Sequence, residues 1–146
     1  MKRRGNSGFT VVELVVAIIV IAILAAISIV AYGNIQRQAR DSERKSDIVQ
    51  LKIALDKYYA ANSQFPAICA ADNSGCSVNG LATPLAPYLS EIPVDPSGSS
   101  NQYIYVRGGT GGTSYGIRVG YEAQPACKTG TRVSSGWWGT GVPICS

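Results

Sequence analysis

The chain has 146 residues, with 13 Lys and Arg against 9 Asp and Glu, four cysteines and no histidine. That length accommodates one modest domain plus an apolar segment. Without histidine or a C-x-x-C pair, and with carboxylates scattered, the chain lacks the gathered groups that acid–base and metal chemistry need, so no enzyme activity, cofactor or metal is expected. Most of the net charge of +4 comes from Lys2, Arg3 and Arg4. Beyond them the charges nearly balance, and a nucleic-acid partner is not indicated.

Those three cations precede a long apolar run. From Leu14 to Tyr32 only Ser28 is clearly polar, and a helix over those residues is about 28 Å long, close to the hydrocarbon thickness of a bilayer. The run exceeds the apolar core of a secretory signal. Ala22, Ala25 and Ala26 are also followed by more Ile and Val rather than by a polar start, so a retained membrane span is expected. The uncompensated cations at the N-terminus place that end inside and the remainder outside.

Glu13 is the only charge between Arg4 and Arg37. A carboxylate at the head of a membrane helix is costly unless a cation meets it in the apolar layer. Glu13 therefore reads as half of a contact between chains. Pairing with Phe9 of the same helix is the alternative, because i and i+4 share a face.

Residues 34–61 hold neither Pro nor Gly beyond the membrane and continue the helix. The charges from Arg37 to Asp47 read as a solvated face. Ile48, Leu51, Leu55, Tyr58 and Tyr59 then recur at helical spacing, and Val49 with Ile53 widen the stripe, so one face is buried from Ile48 onward. Asn62, Ser63 and Pro66 end the helix. Residues 62–98 are loop-rich, with a short helix expected over Leu81 to Leu89 before Pro93 and Pro96. Alternating runs at Tyr103–Arg107 and Tyr115–Tyr121 flank Gly108 to Gly112 as a hairpin. Further strand is expected within Lys128 to Cys145. The fold class is α+β: a long N-terminal helix packed on a small antiparallel sheet.

Four cysteines permit three pairings, and proximity favours Cys69 with Cys76 and Cys127 with Cys145, stapling a head too small to rely on its core. Gly108 to Gly112 lacks the Gly-Lys-Ser/Thr of a phosphate cradle and reads as a turn. Within the second cysteine loop, one ring of Trp137-Trp138 is expected to pack and the other to offer a possible surface contact.

Gly8-Phe9-Thr10-Val11-Val12-Glu13-Leu14, after a basic leader and before a long apolar helix, resembles the N-terminus of the type IV pilin superfamily. Leu55-Asp56-Lys57-Tyr58-Tyr59, Phe65-Pro66, Tyr88 to Pro96 and Tyr103-Ile104-Tyr105 resemble the major pseudopilin of type II secretion and related pilins. The resemblance implies a leader, 1–8, cut after Gly8 by a membrane prepilin peptidase, with methylation of the new Phe9 amine. It implies a helix over 9–61, apolar to 33 and amphipathic from 34, and a head over 62–146. Glu13 would pair with the Phe9 amine of a neighbouring subunit as helices bundle into a helical homo-oligomeric filament built by pilus assembly machinery. The expected function is a structural subunit of a type IV pilus or similar surface filament, anchored in the cytoplasmic membrane as precursor. A pseudopilin of a secretion system and a membrane-anchored binding module are the alternatives. Pilins often carry a Gly and a Pro within the apolar helix; Ala22 and Val30 stand there instead, and a continuous helix is expected. The calcium site of many pseudopilins is not carried over, because Glu122 is the only acid after Asp95.

Overall fold

The computed structural model describes residues 8–98 and 103–145. The basic residues Lys2, Arg3 and Arg4 lie outside them. One helix, α1 (Val11–Asn62), runs through both of the compact units into which the chain divides after Gln36. It begins two residues later than the sequence suggests because Thr10 acts as its N-cap. It ends where Ser63 takes a left-handed φ of 58° and its N–H bonds the Tyr59 carbonyl at 2.7 Å, a common helix stop.

In the first unit α1 is helical without a break, and its large apolar side chains among those described face outward, from Val11 and Leu14 to Ile29 and Tyr32. The helix holds one stretch long and apolar enough to cross a membrane, with none of that stretch buried. Ser28 hides its hydroxyl by donating to the Leu24 carbonyl at 2.8 Å, which suits an apolar surrounding.

The second unit is the head. Strands β1 (Gly75–Ser77), β2 (Ile104–Gly108), β3 (Ser114–Val119) and β4 (Cys127–Thr131) form one antiparallel sheet in chain order. Ile48, Leu51, Ala54 and Leu55 of α1 bury against Phe65, Leu81, Leu85, Tyr103, Tyr105, Tyr115 and Ile117. Each fully buried aliphatic side chain there contributes about 1.5–3 kcal/mol from leaving water. The chain's last described residues close the outer edge: Lys128 N–H bonds the Pro143 carbonyl at 2.8 Å, and Cys145 N–H bonds the Lys128 carbonyl at 2.9 Å.

Four expectations need correcting. Val49 and Ile53 do not join the buried stripe; they stay 53% and 51% exposed, because the sheet covers only the arc centred on Leu51 and Leu55. In place of a helix over Leu81 to Leu89 there is a 3-10 turn, Val78–Leu81, and a single α turn, α2 (Ala82–Leu85). Strand β1 runs across Cys76, at the end of the first cysteine loop, where a loop was expected. The charges of Arg37 to Asp47 are not all solvated, since Arg44 is fully buried and Asp41 nearly so.

The sheet's second face is not bare either. Trp137 lies across Gly108 and Gly116, where a Cβ at either position would collide with the indole ring. Two glycines set diagonally on β2 and β3, Gly108 opposite Ser114 and Gly116 opposite Val106, thus make the slot that an aromatic ring fills.

Candidate functional site

The head of α1 is a capping box. Glu13 Oε2 accepts from the Thr10 N–H at 2.9 Å and from the Thr10 hydroxyl at 2.8 Å, while the Glu13 N–H donates back to Thr10 Oγ1 at 3.3 Å. Two backbone donors that a helix start leaves open are satisfied this way, which matters most where no water reaches them. Glu13 Oε1 takes no hydrogen bond among the described residues. Phe9 lies before the helix and is 91% exposed, so the shared-face geometry of i and i+4 does not hold for Phe9 and Glu13. Gly8 has open space around its backbone. Sequence reasoning singled out Glu13 and missed Thr10, although Thr-x-x-Glu ahead of an apolar run is a recognisable signal.

The head holds a second charged constellation, centred on Arg44. Its Nε and Nη2 donate to the two carboxylate oxygens of Asp95 at 2.7 and 2.9 Å. Nη1 donates to Asp41 at 2.7 Å and Nη2 also reaches Glu122 at 3.0 Å. Arg40 pairs with the same Glu122. Asp41 in turn accepts from the N–H groups of Glu122 and Ala123, each at 2.9 Å. Helix, middle loop and the segment after β3 are tied at one point, with the buried guanidinium nearly saturated by acceptors.

The titration of these groups follows from the contacts. Burial alone would raise the Asp41 carboxyl, but the Glu122 and Ala123 N–H groups and Arg44 outweigh it and leave it lowered. Asp95 is lowered for the same reason, burial being overcome by Arg44 and Ser97. Arg40, together with Arg44, brings the Glu122 carboxyl down to about 2. Burial and then the Asp47 carboxylate push the Tyr103 hydroxyl up.

The cysteines join as Cys69–Cys76 and Cys127–Cys145. Inside the second loop Lys128 is buried, its ammonium donating to the carbonyls of Trp137 at 3.0 Å and Ser135 at 3.1 Å. Trp137 is only 7% exposed and its Nε1 donates to Asn73 at 3.0 Å. Trp137 is thus the ring that packs, and Trp138, half-buried and edge-on to it, is the ring left within reach of solvent.

The family model described as the prokaryotic N-terminal methylation motif matches residues 3–29. The type II secretion system core protein G of Pseudomonas aeruginosa is 33% identical over 113 residues, covering 71% of this chain and 77% of the relative. This chain belongs to the type IV pilin and pseudopilin superfamily. The core protein G of Vibrio cholerae is 29% identical over 147 residues, covering 94% of both chains. The fimbrial protein EcpC of Eikenella corrodens is 30% identical over 131 residues, covering 90% of this chain and 78% of the relative. No solved structure matches the chain. The chain is thus a pilin-like subunit, with an α+β head, and its relatives favour the pseudopilin reading over the long surface pilus that the sequence put first.

Proposed function

We propose that this chain is the repeating subunit of a pseudopilus of a type II secretion apparatus, a structural protein rather than an enzyme. The observation that carries the reading is a membrane-length helix whose described apolar side chains are exposed, with a single carboxylate, Glu13, at its head. Such a surface is stable only in lipid or against copies of itself.

In this reading residues 1–8 are a leader removed after Gly8 by a prepilin peptidase, and the Phe9 amine is then methylated. The precursor sits in the cytoplasmic membrane with its head outside. Glu13 keeps Oε2 on Thr10 and offers Oε1 to the Phe9 amine of the next subunit. Helices 9–33 line the filament axis, 34–61 form the spine of each head, and 62–146 complete the outer surface. Extraction from the membrane and stacking fall to the assembly machinery.

Glu13→Ala tests it. The variant inserts into membranes at wild-type levels but builds no filaments, and export of the apparatus's substrate proteins fails. Normal filaments from the variant would refute the pairing. Long appendages sheared from wild-type cells whose protein export does not need this chain would favour the surface-pilus reading instead.

A further inference from the structure

The head carries two exposed apolar features on opposite flanks of α1. Arg44, Leu51 and Leu55 point into the core, and at 100° per residue Lys45, Val49 and Lys52 fall to one side while Asp47 and Tyr58 fall to the other. The first flank borders β4. There Lys45, Val49, Lys52, Tyr121 and Thr129 line a groove of about 290 Å³, with the Lys45 ammonium 5.9 Å from the Tyr121 ring centre. Neither lysine forms an ion pair among the described residues.

On the second flank Asp47 accepts from the hydroxyl of Tyr103, just before β2, at 2.6 Å, and Tyr58 meets Tyr88 edge-on. Beyond Tyr88 the chain presents a knob. Ile92 is buried on one side of it and Asp95 is clamped by Arg44 on the other. Pro93 fixes the backbone between them, so Val94, 65% exposed, is held outward rather than free to fold in. Glu91, three residues before it in the chain and also exposed, forms no ion pair among the described residues.

We propose that the Val94 knob of one copy seats in the Val49 groove of a second copy, with Glu91 meeting Lys45 and Lys52. The apolar partners match in kind and the rims carry opposite charge, which fixes register more than it adds affinity. The two surfaces differ, so the contact is heterologous, the kind that propagates as an open helical array when its rotation does not close into a ring, as the filament reading requires. The inference rests on the filament reading and names the head-to-head contact within it.

Mixed assembly tests it. Val49→Cys and Val94→Cys chains are produced together, filaments are sheared off and mildly oxidised, and crosslinked peptides are identified by mass. A crosslink between positions 49 and 94 is expected in the mixture and in neither variant alone, and a chain carrying both changes gives a ladder of multimers. Filaments that form without that crosslink overturn the contact and leave the filament reading standing; wild-type chains that never assemble overturn the reading itself. A second arm uses charge. Lys45→Glu/Lys52→Glu cuts filament yield about fivefold or more, through like-charge repulsion at Glu91, and adding Glu91→Lys restores most of it. Failure of the added change to restore yield also overturns the contact.

Discussion

The Arg44 guanidinium holds both carboxylate oxygens of Asp95, a residue 51 positions away, while its third nitrogen holds Asp41 one helical turn back. Arg44 is fully shielded from solvent. Removing one partner of a buried pair strands the other charge, so Arg44→Ala is expected to destabilise the head by about 3–5 kcal/mol. Urea unfolding of the full chain in detergent micelles reads this directly. Arg44→Lys recovers little, because an ammonium cannot bond Asp95 with two parallel N–H groups.

The same cluster makes the head acid-sensitive. Glu122 falls from an ordinary 4.5 to about 2 when folded, and Asp41 and Asp95 also lie below their usual 3.8. The folded state then binds fewer protons than the unfolded state across that interval. Stability is full above about pH 4.5 and declines as pH falls toward about 2. Thermal unfolding between neutral and strongly acidic pH should show that decline, with a shallower slope in Glu122→Gln. An identical slope in both would contradict the assignment.

Thr10 should matter to the helix start independently of assembly. Thr10→Val removes both hydroxyl bonds to Glu13, and the loss of an N-cap is worth about 1 kcal/mol, or roughly fivefold faster local opening. Hydrogen exchange at the amides of Val12 and Glu13 measures it. Thr10→Ser keeps the hydroxyl and should exchange like wild type.

Lys128 organises the Trp loop. Lys128→Met leaves the buried carbonyl of Trp137 without its donor and removes the bond to the Ser135 carbonyl, at a cost of about 1–3 kcal/mol. The expected signature is a red shift of tryptophan emission as Trp137 gains water, with the far-ultraviolet signal of helix and sheet unchanged. Gly116→Ala should do the same from the opposite side, because its methyl group takes the space of the indole ring.

Much of this architecture is legible in the sequence because its signals are local. The apolar run, the Ile48–Leu51–Leu55 spacing and the glycines between β2 and β3 each act within a few residues. The Arg44 cluster is not local. Its carboxylates come from positions 95 and 122, and nothing near Arg44 marks it as different from Arg37 or Lys45. Strand β1 is hidden for another reason: Gly75-Cys76-Ser77 has no strand propensity, and pairing with Tyr105 and its neighbours makes it a strand. The slot at Gly108 and Gly116 was equally silent, since a missing side chain announces nothing until the ring that fills it is known. Thr10 was legible but overshadowed by the charge three residues on.

The segment laid along β4 has a further consequence. Pro143 to Cys145 cover hydrogen-bonding groups that would otherwise form an open sheet border, and the Cys127–Cys145 bridge pins that cover in place. Reduction would loosen it and offer foreign strands a template for cross-β addition. Heads kept in a thiol-rich cytosol would then tend to aggregate, so the oxidising power of the compartment governs their solubility as well as their stability.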